Sequence, residues 1–233
     1  MNDLRLELLS SADIDVEGRM PYSSNATFLV ELKVDGESRG RAIYKPGRGE
    51  RPLWDFPPGL YRREVAAYRL SAAMGLHLVP PTILRDGPFG EGSLQWFVDA
   101  RFEEHYFTLF EARPDLHDQF RAVALFDVVA NNTDRKSGHC LIDSDERIWA
   151  IDNGLCFSAE FKLRTVIWEF SDETISDSLL GALDRIVGGV PDEVAELLET
   201  DEVEALVERA RSLAFAARFP VDSSGHRYPW PMV

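Results

Sequence analysis

The sequence predicts an α+β fold in which a β-rich N-terminal lobe and an α-rich C-terminal lobe enclose a cleft. Alternation typical of strands fills most of the first part of the chain, whereas helical periodicity dominates the last part. With 45% hydrophobic and 28% charged residues among 233, the composition is that of a globular protein. We assign residues 1–97 to the first lobe, 98–220 to the second and 221–233 to a tail, within one functional unit.

In the first lobe, β-branched and aromatic residues alternate with polar ones over several short runs. Strands are expected over residues 14–17, 26–34, 41–44, 82–84 and 93–98. Asp35-Gly36 lies between two of these runs and is typical of a hairpin turn. A single helix is expected over 61–74, after a loop rich in proline and glycine, and Gly75 provides its end.

The second lobe begins and ends with helices that have one apolar face. Phe120, Val123, Ala124 and Val128 recur at helical spacing, and the apolar residues between 203 and 217 do the same. Between these helices, residues 140–142 and 148–151 read as two short strands around a four-residue turn. The lobes are expected to join near residues 95–99.

The net charge of −15 argues against nucleic-acid binding and against docking on anionic lipid, since both depend on clustered basic residues. The charge is uneven, however. Residues 39–63 sum to +5 and residues 172–208 to −11. This asymmetry indicates either an anion-attracting region with a solvated acidic region behind it, or two ordinary soluble surfaces.

Cysteine and histidine usage excludes a disulfide framework and a four-ligand zinc site. The chain has two cysteines, Cys140 and Cys156, and five scattered histidines. Its N-terminus lacks the pattern of a signal peptide, and no apolar run reaches the roughly 18 residues of a membrane span. We therefore expect a cytoplasmic protein without stable membrane insertion.

Polar residues concentrate in the segment N-N-T-D-R-K-S-G-H, residues 131–139, between the amphipathic helix and the short hairpin. Because the hairpin strands are antiparallel, His139 before it and Asp152 after it should return to one side, where Asp134 also enters. Two carboxylates and an imidazole would suit a magnesium-bound phosphate. Asn-Asn-Thr-Asp and Asp-Asn-Gly are each also ordinary turn sequences, so a purely structural role stays open.

Lys45 ends the apolar strand R-A-I-Y in a chain that has far more arginine than lysine. A compact ammonium group suits phosphate oxygens. Glu64 lies on the following helix and is a candidate to pair with Lys45. A surface lysine and a surface glutamate are the alternative.

Four segments in this order resemble the phosphatidylinositol 3-/4-kinase-related group. They are R-A-I-Y-K-P-G-R-G-E, R-R-E-V-A-A-Y-R-L, A-N-N-T-D-R-K-S-G-H and A-I-D-N-G-L-C-F. Within that group the chain is similar to the type II phosphatidylinositol 4-kinases, the HipA-type serine kinases and an actinobacterial branch. The resemblance covers about residues 12 to 170 and implies a protein-kinase-like two-lobed fold with ATP between the lobes.

The resemblance also implies roles for the residues that match its motifs. Lys45 would contact the nucleotide phosphates, with Glu64 orienting it. Asp134 would accept the proton of the substrate, and Asp152 would bind magnesium. Arg135 and Lys136 would neutralise the transferring phosphate, unless they are simply an exposed loop pair.

The remaining nucleotide contacts follow from the same resemblance. Ser23, Ser24 and Asn25 would cover the phosphates, and Phe97 and Val98 would lie near the adenine.

Two features depart from the pattern of the relatives. The first strands enclose no G-x-G-x-x-G, which agrees with the lipid-kinase side of the superfamily. His139 stands where the relatives carry an asparagine that binds a second magnesium, and neutral imidazole suits later metals better. The site would then use one magnesium, use manganese, or have left metal binding at this position.

We therefore predict an ATP-dependent phosphotransferase acting on a hydroxyl of a protein or small polar molecule, rather than on a phosphoinositide. A nucleotide-sensing pseudokinase and an AMP-transferring enzyme of the same fold are the alternatives.

Overall fold

A computed structural model of the chain describes residues 2–21, 23 and 25–233, so the predicted phosphate contact Ser24 lies outside the described residues. The helices are α1 (Asn2–Ser11), α2 (Leu60–Ala73), α3 (Tyr106–Ala112), α4 (His117–Ala130), α5 (Asp177–Val187), α6 (Asp192–Ala195) and α7 (Thr200–Ala216). The strands are β1 (Asp13–Arg19), β2 (Phe28–Val34), β3 (Glu37–Pro46), β4 (Thr82–Gly87), β5 (Gly90–Trp96), β6 (Cys140–Ile142) and β7 (Ile148–Ala150). The predicted division into a β-rich and an α-rich part is confirmed.

The N-terminal strands form one antiparallel five-stranded sheet in the order β1-β2-β3-β5-β4. The hairpin between β2 and β3 turns at Asp35 and Gly36, both with positive φ, as the sequence predicts. Strands β6 and β7 pair with each other in a separate two-stranded sheet and form the predicted short hairpin. The sheet therefore places β3, and with it Lys45, in the centre.

One face of the sheet is covered by α1. Leu9 and Ala12 pack there against Val30, Ala42 and Tyr44, and all of these side chains are buried. Because side chains alternate along a strand, Lys45 points to the face opposite Tyr44, which is the face turned toward the second lobe.

Helix α2 belongs by sequence to the first lobe but packs into the hydrophobic core of the second. Its Val65, Ala66 and Leu70 are fully buried in one cluster with Phe126 of α4 and Leu206 of α7. The main hydrophobic core contains residues from both sides of position 97. The lobe boundary at this position therefore stays a prediction.

Helices α1 and α3 and the bounds of α5 are not predicted from the sequence pattern. Leu4, Leu6 and Leu8 in α1 alternate with polar residues, a spacing more typical of a strand, and the contact of this helix with the sheet decides its structure. Helix α3 has 7 residues, too few for a periodic pattern to be distinctive.

The tail, residues 221–233, lies against the second lobe. Thr165 N donates to Arg227 O at 3.1 Å, and Ser137 N donates to Met232 O at 2.8 Å. Trp168 Nε1 also donates to Arg227 O at 3.1 Å. These contacts hold the tail next to the loop that carries Asp134.

Within the described part of the chain, the helices are all too short or too polar to span a lipid bilayer.

Candidate active site

A cavity of about 420 Å³ lies between the sheet and the helical lobe. Lys45, Glu64, Asp134, Lys136, His139 and Asp152 all line it. These residues come from β3, from α2, from the loop after α4 and from the segment after β7. The fold thus brings together in one cleft side chains that are far apart in sequence.

Lys45 lies at the centre of the charged groups in this cavity. Its Nζ donates to Glu64 Oε1 and, at 2.7 Å, to Asp152 Oδ1. Burial alone would lower the pKa of Lys45, but the charges of Asp152 and Glu64 raise it above its ordinary value. The amine is therefore protonated at neutral pH and presents a cation to the cleft.

Glu64 is almost completely buried, with 2% of its surface exposed, and its two oxygens have different partners. Oε1 accepts from Lys45, while Oε2 accepts the backbone N–H of Asn153 at 3.0 Å. Glu64 therefore ties α2 both to β3 and to the residue next to Asp152.

The start of α2 is fixed by a side chain from the preceding loop. The carboxylate of Glu50 accepts the N–H of Gly59 at 2.9 Å and that of Tyr61 at 2.7 Å, which satisfies donors at the helix N-terminus. This contact closes the proline-rich loop and sets where the helix begins.

Asp152 lies two residues after the end of β7 and has a φ of 57°, in the left-handed region that aspartate tolerates better than most residues. About half of the carboxylate is exposed, at 52%. The positive charge of Lys45 holds the pKa of Asp152 well below its usual range, so the group is ionised.

The loop 131–139 is held by a fully buried ion pair between Asp127 and Arg135. Arg135 Nε donates to both oxygens of Asp127 at 3.1 Å. Its Nη1 donates to Ile151 O at 2.6 Å and its Nη2 to Asn153 Oδ1 at 2.7 Å. Arg135 therefore connects α4 to the segment that carries Asp152.

The burial of Arg135 corrects one sequence prediction. A guanidinium with 0% exposure does not face the cleft and cannot meet a transferring phosphate there. The adjacent Lys136 does line the cleft, and its Nζ lies 3.4 Å from Asp134 Oδ2. Arg135 and Lys136 therefore point in different directions. Arg135 points into the protein and holds the loop in place, whereas Lys136 points into the cleft.

Asp134 is half-buried on the cleft side of this loop. Its N–H donates to Asn132 Oδ1 at 2.9 Å, and Asn132 Nδ2 in turn donates to Asp127 Oδ1 at 3.2 Å. Burial raises the pKa of Asp134, Lys136 opposes this and Asp152 adds to it. A carboxylate with a raised pKa is better suited to accept a proton than an ordinary one.

His139 lies beside Asp152, with Nε2 at 3.5 Å from Asp152 Oδ2. Burial lowers the pKa of His139 to about 4, so the imidazole is neutral at pH 7. Nδ1 accepts the N–H of Lys136 at 3.4 Å, which assigns the ring proton to Nε2. The imidazole then faces Asp152 with a donor.

The described residues include no group of three or more His, Cys, Asp or Glu side chains arranged as a metal cage. Magnesium and manganese do not need one, since such ions bind one or two carboxylates and take the rest of their ligands from substrate phosphates and water. Asp152 and Asp134 provide such oxygens at the cleft.

Comparison with known proteins identifies a relative of this chain and solved structures of similar fold. No model of a known protein family matches the chain. The protein Rv2133c of Mycobacterium tuberculosis is 37% identical over an alignment 262 positions long. The alignment covers 96% of this chain and 94% of the relative. The chain belongs to the Rv2133c family.

Solved structures show the fold of this Rv2133c-family chain. The Golgi casein kinase with Mn/ADP bound matches with a TM-score of 0.58 at 14% identity, over 100% of this chain and 80% of the other. The structure of hydra Fam20 with sugar matches with a TM-score of 0.54 at 14% identity, over 91% of this chain and 86% of the other. The Helicobacter pylori proinflammatory kinase CtkA matches with a TM-score of 0.50 at 12% identity, over 91% of this chain and 94% of the other. The fold is therefore α+β and kinase-like, as predicted.

Ser23 and Asn25 line the same cavity as Lys45 in this member of the Rv2133c family. Ser23 Oγ lies 2.8 Å from Thr27 Oγ1, and Asn25 Oδ1 accepts the N–H of Arg51 at 2.9 Å. Ser23 and Asn25, between β1 and β2, thus lie at the cleft, and their contact with nucleotide phosphates stays a prediction.

Phe97 and Val98 line a second cavity of about 270 Å³, together with residues such as Arg41 and Trp149. The guanidinium of Arg41 lies 4.4 Å from the centre of the Phe97 ring. The structure does not bring these two side chains to the cavity around Lys45, and their adenine contact stays a prediction.

Sequence reasoning does not identify several residues in or next to the Rv2133c-family cleft. Asn153 is buried next to Asp152, and its sequence context indicates only a turn, yet its backbone contacts Glu64 and its side chain contacts Arg135. Arg51 and Tyr61 line the cleft from the proline-rich loop and the first turn of α2. The signal for Asn153 was its position directly after Asp152; the other two residues carry no recognisable motif.

Proposed function

We propose that this protein is an ATP-dependent phosphotransferase that moves a phosphoryl group to a hydroxyl of a protein or small polar molecule. The observation that carries the proposal is the convergence of Lys45, Glu64, Asp134 and Asp152 on one cavity between the lobes of a kinase-like fold. The Lys45–Glu64 and Lys45–Asp152 contacts agree with the arrangement that phosphoryl transfer requires.

The nucleotide phosphates would bind at Lys45, whose ammonium supplies a fixed positive charge. Ser23 and Asn25 line the same cavity and offer polar groups, and Ser24 is proposed to join them. Phe97 and Val98, at the connection between the lobes, are the proposed adenine neighbours.

Magnesium or manganese would be held by Asp152 together with the phosphates, and Asp134 lines the same cavity. Among the proteins of similar fold, the Golgi casein kinase was crystallised with Mn and ADP. The ion, when bound, would offset the negative charge of the phosphates. His139 presents a neutral ring to Asp152 and would orient that carboxylate.

The chemistry assigned to this chain's own residues is proton transfer and positioning. Asp134 would accept the proton of the acceptor hydroxyl while the hydroxyl oxygen forms a bond to the γ-phosphorus. The bond between that phosphorus and the bridging oxygen breaks, and ADP leaves. Lys136, 3.4 Å from Asp134, would offset charge near the reacting groups.

We propose a protein or small polar acceptor because the chain carries a net charge of −15, which disfavours an anionic lipid surface. We also propose a relationship to the phosphatidylinositol kinases, and this part of the proposal rests on the sequence motifs alone. A likeness of fold to Fam20 and CtkA leaves the acceptor open.

A nucleotide-sensing pseudokinase is a second candidate, favoured by one observation. His139 is buried and neutral and uses Nδ1 on the backbone, so it offers no free lone pair to a second metal. Such a protein would bind nucleotide without consuming it.

The test uses the purified full chain with ATP and either magnesium or manganese. We expect ATP consumption, a metal-dependent thermal shift and transfer of a phosphoryl group, whereas AMP transfer would appear as a different added mass. Asp134→Asn should abolish turnover while keeping nucleotide binding. Asp118→Asn, at a side chain 95% exposed on α4, is the matched control and should behave as wild type.

Thermal stabilisation by ATP without metal dependence and without turnover would favour the pseudokinase. Absence of both binding and turnover would contradict the proposal.

A further inference from the structure

Helix α2 is attached to the C-terminal lobe by a buried ion pair next to Glu64. We propose that Arg63 and Glu202 are positioning residues that hold Glu64 against Lys45. This inference rests on the proposed function, because it gives the pair a role at the same site.

The pair is well removed from water, with Arg63 3% and Glu202 5% exposed. Arg63 Nη2 donates to Glu202 Oε1. The other oxygen of Glu202 accepts the N–H of Glu199 at 3.1 Å, which caps the start of α7. Glu202 is therefore fixed by its own helix, and it holds Arg63 in one place.

Arg63 and Glu64 are adjacent in α2, so their side chains point about 100° apart around the helix. Arg63 points to α7, and Glu64 points to Lys45 and to the N–H of Asn153. A rotation or shift of α2 that took Glu64 away from Lys45 would also break the buried pair. Separating two buried charges is strongly unfavourable, so the pair opposes that movement.

Further arginines attach the same helix to the same part of the second lobe. Arg62 Nη2 donates to Glu196 O at 2.9 Å and Arg69 Nη1 to Glu193 O at 2.6 Å. The acidic segment 172–208, which the sequence left as a solvated surface, thus provides the attachment points for α2. These contacts use backbone carbonyls, whereas the Arg63–Glu202 pair is the charged and buried one next to Glu64.

A purely structural role of the pair would affect the stability of the protein without changing the contacts of Glu64. Arg63 Nε is buried and has no hydrogen-bond partner among the described residues, so this guanidinium is incompletely satisfied. The decisive measurement is whether the effect of the pair passes through Glu64.

The experiment compares wild type with Arg63→Met/Glu202→Gln, Glu64→Ala and the triple variant. The double variant removes the pair without leaving a buried charge, and glutamine keeps an oxygen for the cap of α7. Arg121→Met is the matched control, because Arg121 pairs with Glu173 at 2.8 Å entirely within the second lobe. Thermal midpoints are recorded for every variant so that all comparisons are made well below unfolding.

The first readout is amide hydrogen exchange at Asn153, whose N–H is held by Glu64. We expect exchange to be at least tenfold faster in the double variant and in Glu64→Ala. In the triple variant it should be no faster than in Glu64→Ala alone. Arg121→Met should keep the wild-type exchange rate.

This readout needs no nucleotide, so it tests the positioning role separately from the proposed activity. A double variant with a lowered thermal midpoint but wild-type exchange at Asn153 would overturn the inference, as would effects that multiply in the triple variant. If the double variant does not fold, Glu202→Gln alone is used. Its exchange should be faster than wild type, and an unchanged rate would contradict the proposal.

The second readout is turnover with ATP. The double variant should lower kcat about tenfold, with no further loss when it is added to Glu64→Ala. A wild-type protein without turnover or nucleotide binding contradicts the proposed function, while the exchange result still decides the positioning role.

Discussion

At the residue scale, the buried contact between Asp127 and Arg135 organises more of the site than any side chain that faces the cleft. Arg135 reaches Asp127, the carbonyl of Ile151 and the side chain of Asn153. One guanidinium thereby fixes the loop with Asp134 relative to the segment with Asp152. The relative position of Asp134 and Asp152 thus depends on a buried residue that does not face the cleft.

Replacing Asp127 by alanine should lower the free energy of unfolding by about 3–5 kcal/mol, because it leaves a buried guanidinium without its carboxylate. Urea denaturation measures the loss. Glu173→Ala removes a partner of Arg121 that is 40% exposed, and it should cost only about 0–1 kcal/mol. Equal effects of the two substitutions would contradict this account of the loop.

Lys45→Met should weaken nucleotide binding by about tenfold or more, because a charge-assisted hydrogen bond to phosphate is lost. Isothermal titration with ATP and magnesium measures the change. Lys33→Met is the control, since Lys33 pairs with Asp15 on the exposed sheet edge and should leave the affinity unchanged. Wild-type affinity in Lys45→Met would place the phosphates elsewhere.

At the element scale, β3 and β5 pair beside Lys45 with no room for a side chain on Gly92. A Cβ on Gly92 would lie 2.7 Å from Cα of Pro46 and nearer still to the carbonyl oxygen of Lys45. Only a residue without a side chain allows the two strands to pair at this point. The position of Lys45 thus depends on a glycine in the neighbouring strand.

Gly92→Ala should therefore destabilise the protein by about 1–3 kcal/mol and reduce nucleotide affinity, because β3 must move away from β5. Gly181→Ala provides the opposite case. Gly181 lies in α5, and a Cβ there would meet nothing within 4 Å. Alanine should stabilise this helix by about 0.5–1 kcal/mol. Denaturant midpoints test both, and stabilisation by Gly92→Ala would contradict the close approach.

The strands and the site residues that end them could be predicted because their signals are local. Lys45 ends an alternating strand, Asp152 follows a short apolar strand, and the hairpin between His139 and Asp152 has clear turn residues. Glu64 could be paired with Lys45 only as a candidate, because its orientation depends on where α2 packs.

Other parts of the site depend on contacts that sequence alone does not reveal. Arg63 and Glu202 are 139 positions apart, and neither belongs to a motif. Arg135 was expected at the cleft because a loop sequence does not show which of two adjacent side chains turns inward. The separation of Phe97 from the cavity of Lys45 likewise depends on how the lobes meet.

At the scale of the whole molecule, the two lobes are not independent units. Val65 and Leu70 of α2 are completely buried in the core formed with α4, α5 and α7. A fragment that ends after the sheet would expose this helix face to water. The main hydrophobic core thus includes residues from both sides of position 97.

We expect a fragment of residues 1–97 to remain largely unfolded, because the apolar face of α2 would lack its partners. Circular dichroism and urea titration of the fragment and of the full chain measure this. The full chain should unfold in a single transition. A cooperative transition in the isolated fragment would show that the first lobe folds alone and would contradict the prediction.

The tail also has a practical consequence for experiments. Met232 contacts Ser137 in the loop that carries Asp134, so a purification tag or fluorophore fused after Val233 would emerge beside the cleft. The start of the chain is the better attachment point, because α1 covers the outer face of the sheet, away from Lys45. Assays on carboxy-terminally tagged protein should therefore be repeated after the tag has been cleaved.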